Sequence, residues 1–274
     1  MVQLYSDSVL YHCTIHKSKT DYPYLLMLHG FMGSGALFHP LIDHLKQFCN
    51  PVTIDLSGHG QTKTPETDGI LTTERQVHQL RSILKRLNFS DLYIYGYSMG
   101  GRVAFQLISN CAKYFRGAII ESAHCGLLAG HKKNKRKELD EKRALQIEQN
   151  FSGFVDKWLD LPLFKHTPLK ASNRYEHVIK SQNPSMMARS LREFGSGSMP
   201  DICKNLPATL PIHLISGSLD KKYVQLQKDI ATQSPAWSHY NIEEAGHRVH
   251  TDKPNRVIEI IKEAMNPIQI QPDL

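Results

Sequence analysis

The sequence predicts an α/β protein, with a mostly parallel central sheet flanked by helices and a helical lid inserted between two core strands. Three observations carry this. Short apolar runs with strand character alternate with stretches of helical periodicity, one glycine-flanked serine sits between such a strand and the helix after it, and the alternation stops once, for about ninety helical residues. The strand-like runs are Tyr24 to Leu28, Val52 to Ile54, Leu92 to Tyr95, Ala118 to Glu121, Ile212 to Ser216 and His239 to Ile242. The helical stretches between them lie near Leu37 to Leu45, Thr73 to Leu87, Arg102 to Ile108, Lys222 to Ala231 and Pro254 to Met265. Alternation of this kind buries a parallel sheet under helices on both faces and places ligands outside the carboxyl ends of the strands.

The break in rhythm falls between Glu121 and Pro211. Segments near Lys132 to Gln149, Phe151 to Leu159, Ser172 to Ser181 and Pro184 to Phe194 read as four short helices. Inserted at this point they would lie over the carboxyl face of the sheet as a lid. The expected organisation is a core of residues 1–123 and 211–274 with an insertion of residues 124–210. At 274 residues, 41% of them hydrophobic, the chain can bury one large core, and two independent domains are not expected.

Lys and Arg exceed Asp and Glu by 33 to 26, a formal charge of +7. No basic face is interleaved with aromatic residues and no nucleic-acid motif occurs, so the excess points to a small anionic substrate and not to nucleic acid. The five cysteines (Cys13, Cys49, Cys111, Cys125, Cys203) are odd in number, scattered and without a C-x-x-C pair, which reads as reduced thiols with no metal site. No cofactor is expected. Met1 to Thr14 alternates like an edge strand and has neither the basic start nor the apolar core of a signal peptide, and no 18-residue apolar run occurs. A cytoplasmic protein without an integral membrane segment is expected.

The serine is Ser98, in Leu92-Tyr-Ile-Tyr-Gly-Tyr-Ser-Met-Gly-Gly-Arg102. Gly96 and Gly100 form G-x-S-x-G around it, and small residues there let strand and helix approach so closely that the hydroxyl is raised above the sheet. This pattern is the nucleophile elbow of the α/β-hydrolase fold. A serine hydroxyl needs an imidazole to take its proton, and the imidazole needs a carboxylate to hold its tautomer. Asp220, after the strand Ile212 to Ser216, and His247, in Ala-Gly-His-Arg-Val-His250 after the last strand, complete the order Ser, Asp, His of that fold. Asp220 could instead cap the helix that follows it. Leu28-His-Gly-Phe-Met-Gly33 turns on glycine after a core strand, so the backbone amides of Phe31 and Met99 are the expected oxyanion donors. His29 and His59 read as loop architecture.

Several segments together resemble a narrower family, the 2-succinyl-6-hydroxy-2,4-cyclohexadiene-1-carboxylate synthases of menaquinone biosynthesis. They are Gly96-Tyr-Ser-Met-Gly-Gly-Arg102, Glu121-Ser-Ala-His-Cys-Gly-Leu127, the basic helix ending at Asp140, Trp158-Leu-Asp-Leu-Pro-Leu-Phe164, Leu191-Arg-Glu-Phe-Gly-Ser-Gly-Ser-Met-Pro200 and Gly246-His-Arg-Val-His250. The resemblance spans nearly the whole chain, and its lid motifs are more specific than the elbow. It implies elimination in place of hydrolysis: pyruvate leaves 2-succinyl-5-enolpyruvyl-6-hydroxy-3-cyclohexene-1-carboxylate, with the triad as base. It further implies substrate contacts from Arg102, Arg136, Tyr97 and Trp158, the arginines matching a substrate with several carboxylates.

The chain departs from that family at four places. Where a third lid arginine is usual only Lys180 is at hand, and a lysine is a looser carboxylate ligand than a planar guanidinium. Cys125 and Ser57 each stand where a proline is usual, and Arg248 follows His247 where asparagine is common. Arg248 could add a cation to the site, depress the imidazole pKa or face solvent. The second reading is a serine carboxylesterase or carbon–carbon bond hydrolase on the same scaffold, in which Ser98 forms an acyl intermediate. A third is a ligand receptor without catalysis. The elimination reading requires Arg102 beside Ser98 in the cavity and Arg136 reaching it from the lid.

Overall fold

The computed structural model describes residues 2–127 and 129–266. Eight strands form one sheet: β1 (Val2–Ser6), β2 (Val9–Ile15), β3 (Tyr24–Leu28), β4 (Asn50–Ile54), β5 (Leu92–Tyr97), β6 (Gly117–Glu121), β7 (Ile212–Gly217) and β8 (Trp237–Ile242). Their order is β1-β2-β4-β3-β5-β6-β7-β8. From β4 to β8 every pairing is parallel, whereas β2 runs antiparallel to both β1 and β4.

The N-terminal stretch that reads as one edge strand is two. Asp7 and Ser8 both take positive φ, 51° and 69°, and turn β1 back on β2 as a tight hairpin. The alternation is unchanged across a two-residue turn, so periodicity alone does not show the fold-back.

Ten α-helices are described: α1 (His39–Leu45), α2 (Thr73–Leu87), α3 (Met99–Cys111), α4 (His131–Gln149), α5 (Phe151–Leu159), α6 (Leu169–Lys180), α7 (Pro184–Phe194), α8 (Lys221–Ala231), α9 (Val249–Asp252) and α10 (Pro254–Met265). Successive side chains of a strand point to opposite faces, and here both faces are covered. Leu25 and Met27 of β3 pack with Leu41 and Ile42 of α1 and Ile260 and Ile261 of α10. Leu26 and Leu28 pack on the other side with Leu80 and Ile83 of α2, Val103 and Leu107 of α3 and Ile230 of α8. Truncating a core side chain such as Leu26 to alanine would cost roughly 2–5 kcal/mol through lost burial and the cavity left behind.

The helices α4 to α7 lie between β6 and β7 in the chain. They are bonded to core loops: Gly60 N–H donates to Gln182 Oε1 at 2.9 Å and Leu71 N–H to Glu193 Oε2 at 2.8 Å. The expectation of five thiols is corrected, because Cys125 and Cys203 form a disulfide with their Cα atoms 5.0 Å apart. They sit 78 residues apart, one after β6 and one before β7, and meet because the insertion leaves and re-enters the core side by side, with Ile202 N–H donating to Cys125 O at 3.1 Å. Cys13, Cys49 and Cys111 are buried free thiols. The serine in the other proline position is also accounted for. The Ser57 hydroxyl donates to Gln79 Oε1 at 3.0 Å and shares a short hydrogen bond with the Tyr11 hydroxyl. Among the described residues no helix is long and apolar enough to cross a membrane.

Candidate active site

The site begins where β5 meets α3. Ser98 stands between them at φ 52°, ψ −108°, a conformation that side chains other than glycine rarely adopt and that stores strain. A Cβ at Gly96 would lie 2.6 Å from Gly100 O and 2.7 Å from the Gly101 Cα, so only glycine allows the turn to close. Ser98 N–H donates to Glu121 O at the end of β6 at 2.8 Å, which anchors the elbow to the neighbouring strand.

Ser98 Oγ lies 3.0 Å from His247 Nε2, and His247 Nδ1 lies 2.6 Å from Asp220 Oδ2. Asp220 makes two separate contacts. Oδ2 faces the imidazole while Oδ1 accepts the Tyr223 N–H at 3.4 Å as the cap of α8. His247 sits in the loop between β8 and α9, and its own N–H donates to Leu163 O of the insertion at 3.3 Å. Phe31 and Met99 line the same space. His29 is buried architecture: Nε2 accepts the Leu56 N–H at 3.0 Å and Nδ1 pairs with Gly30 O at 2.8 Å. His59 is likewise buried, and desolvation followed by the nearby His29 pushes its imidazole down to about 3.

Ser98, His247 and Asp220 open into a cavity of about 220 Å³ walled by the carboxyl ends of the strands on one side and the insertion on the other. Tyr97 and Trp158 both line it. The Trp158 ring stands edge-on to Phe31 at 5.5 Å. Arg102 lines it one turn into α3, 8% exposed, with Nη1 donating to Phe194 O at 3.1 Å at the end of α7. Burial, then repulsion from Arg136, pushes its guanidinium down to about 10, so it stays charged at neutral pH. Arg136 reaches the cavity from α4, held by Asp140 Oδ1 at 2.8 Å from its Nε.

Lys180 is not part of this wall, and that expectation is corrected. Its ammonium, at the end of α6, pairs with Glu176 at 2.6 Å and Asp156 at 3.6 Å on the outer surface. The additional cations come from elsewhere: Arg143, Lys222 and Arg248 line the cavity, so among the described residues five cationic side chains and one carboxylate, that of Asp220, line it. Arg143 lies two helical turns beyond Arg136 on α4, a spacing that places both on one face and was visible in the sequence. It stacks on Trp158 at 5.2 Å. Lys222 enters in the first turn of α8 beside Asp220, which no periodicity signals. Arg248 does not face solvent: it is 2% exposed and lines the cavity. Among the described residues no group of three or more His, Cys, Asp or Glu is arranged to hold a metal ion.

A family model described as the alpha/beta hydrolase fold matches residues 23–254. The chain belongs to the α/β-hydrolase family. Among its relatives is a 2-succinyl-6-hydroxy-2,4-cyclohexadiene-1-carboxylate synthase of Escherichia coli O9:H4 (strain HS), 28% identical over 255 residues that span 91% of this chain and 96% of that protein. Among solved structures, MenH from S. aureus superposes with a TM-score of 0.88 at 27% identity, covering 93% of this chain and 98% of that one. An esterase from Exiguobacterium antarcticum superposes with a TM-score of 0.82 at 15% identity, covering 95% and 97%, and shares the α/β-hydrolase fold.

Proposed function

We propose that this α/β-hydrolase is a carbon–oxygen lyase of menaquinone biosynthesis. It would remove pyruvate from 2-succinyl-5-enolpyruvyl-6-hydroxy-3-cyclohexene-1-carboxylate and leave 2-succinyl-6-hydroxy-2,4-cyclohexadiene-1-carboxylate. The observation that carries the reading is the lining of the cavity. An ester or acyl pocket needs no cations, whereas here Arg102 and Arg136 border the same space as Ser98, from α3 and from α4. Similarity over nearly the full length to proteins named for this reaction supports the same reading.

The chemistry follows from the substrate. Ring position 2 carries a proton next to the succinyl ketone, so its removal places negative charge on the ketone oxygen. Ser98 takes that proton while His247 takes the hydroxyl proton of Ser98, and Asp220 holds the imidazole through Nδ1. The amides of Phe31 and Met99 receive the developing oxyanion. The electrons re-form as the ring diene as the bond from ring carbon 5 to oxygen breaks, and the departing enolpyruvate takes up a proton to become pyruvate. Arg102 and Arg136 bind carboxylates through paired hydrogen bonds and fix the ring over Ser98, with Tyr97 and Trp158 against its apolar edges.

The test supplies the enolpyruvyl substrate and follows pyruvate release, with a short-chain aryl ester assayed in parallel. Rapid pyruvate release with negligible ester cleavage is expected. Ester cleavage without pyruvate would establish the serine-hydrolase alternative.

A further inference from the structure

Arg248 follows His247 in the chain and is among the largest side chains to be fully buried, at 2% exposure. Its guanidinium carbon lies 3.8 Å from the ring centroids of both Phe164 and Tyr175. Two aromatic rings of the insertion thus lie against the planar group. Among the described residues its Nε is buried without a hydrogen-bond partner. Among the described residues no carboxylate makes a direct ion pair with it: Glu121 is engaged with His250 at 2.7 Å and Asp220 with His247 at 2.6 Å, while Asp252, whose charge reaches Arg248, accepts the Gly246 N–H at 2.8 Å through Oδ2. The neutral Tyr97 hydroxyl lies beside the cation and brings no compensating charge.

A buried cation without a directly paired counter-ion is rare because the hydration it loses is only partly replaced. Two aromatic faces return part of that loss. A carboxylate on the guanidinium would return more of it through charge-assisted bonds, and Arg248 lines the cavity that holds Ser98. The neighbouring Phe164 ring also packs against His247 at 6.1 Å, so an anion on Arg248 lies close to the proton-transfer line.

We infer that Arg248 is a specificity-determining residue, a fork for one carboxylate of a substrate that carries at least three, with Arg102 and Arg136 taking the others. This rests on the reading of the cavity as a polycarboxylate site. It also supplies the third planar fork that Lys180, bound to surface carboxylates, does not.

The test titrates the protein calorimetrically with propane-1,2,3-tricarboxylate, glutarate and acetate, in the wild type and in Arg248→Gln and Arg248→Lys. The wild type should bind the triacid at least about tenfold more tightly than glutarate. Arg248→Gln should lose on the order of tenfold to a hundredfold for the triacid and little for glutarate, and Arg248→Lys, a charge without a fork, should recover only part. Equal triacid affinity in wild type and Arg248→Gln, or no triacid binding to the wild type, overturns the inference. Should the variants not fold, crystals of the wild type soaked in the triacid decide. A carboxylate within about 3.2 Å of the Arg248 nitrogens supports the fork, and a triacid held without Arg248 excludes it. Pyruvate release separates the two readings. Selective triacid binding through Arg248 without any pyruvate formation removes the lyase and keeps the fork, while pyruvate formation with an unaltered Arg248→Gln removes the fork and keeps the lyase.

Discussion

The Tyr175 hydroxyl, on the helical insertion, lies 2.8 Å from His250 Nε2 in the core, beneath the loop that carries His247. His250 Nδ1 is in turn paired with Glu121 at 2.7 Å, and Glu121 O anchors the Ser98 amide. One buried chain of polar contacts therefore connects the position of α6 to the elbow. Tyr175 also forms one face of the Arg248 sandwich.

Tyr175→Phe keeps the ring and removes the hydroxyl, leaving His250 Nε2 without this partner. A loss of about 1–2 kcal/mol is expected, read as a fall in Tm of a few degrees. Because the ring still covers Arg248, substrate affinity should change less than with Tyr175→Ala. Equal KM values in the two variants would contradict the sandwich.

Ser98 carries backbone strain and, in the proposed reaction, the chemistry, and two substitutions separate them. Ser98→Ala keeps a Cβ at φ 52° and should lower pyruvate release by at least about a thousandfold with little change in Tm. Ser98→Gly should be equally inactive yet more stable by about 1 kcal/mol, since glycine occupies that φ without penalty. Retained turnover in either variant would remove Ser98 from the reaction.

The two arginines differ in how they are held. Arg102 is buried and fixed by Phe194 O, close to Ser98, so Arg102→Ala should lower kcat/KM on the order of a hundredfold, about 3 kcal/mol of transition-state stabilisation. Arg136 reaches in from α4 and should act mainly in substrate binding. Arg136→Ala is expected to raise KM about tenfold with kcat changed only a few-fold. Steady-state kinetics of both variants at two salt concentrations check this, the wild-type KM rising with salt.

Lys222 gives the site a pH dependence of its own. Burial, then the charge of Arg136, holds its ammonium below the usual lysine value of 10.5. Anion binding needs the protonated form, so KM should begin to rise on the alkaline side before pH 10.5 is reached. Stability runs the other way. Between the lowered folded value and the unfolded value the unfolded chain binds more protons, so the ligand-free protein gains stability as pH rises across that window. Lys222→Met should flatten the alkaline rise of KM, and an unchanged profile would mean that Lys222 meets no anion.

The disulfide closes a loop that contains α4 to α7. Reduction, or Cys203→Ser, should lower stability by about 2–4 kcal/mol, or roughly 5–15 °C in Tm. Thermal melts with and without reductant measure it. The Cys203→Ser protein should no longer respond to reductant.

Much of this molecule was legible as local pattern. Strand and helix periodicities depend on near neighbours in the chain, so α2, α5, α7 and α10 coincide in their limits with the stretches the sequence marks. The elbow is equally local, since Gly96, Ser98 and Gly100 meet within one turn. Asp220 and His247 could be singled out because the fold presents its loops in a set chain order, although only the structure gives the 3.0 Å and 2.6 Å contacts that join them to Ser98. What depends on contacts across the chain was decided by the tertiary structure alone. Cys125 meets Cys203 because the two ends of the insertion lie side by side, and the β1–β2 hairpin exists because two residues take positive φ. Lys180, Lys222 and Arg248 are all basic residues near suggestive motifs, and nothing local separates the one held by Glu176 and Asp156 at the surface from the two that line the cavity. Charge can be counted along a chain, but whether a charge faces water or a substrate is a property of what folds over it.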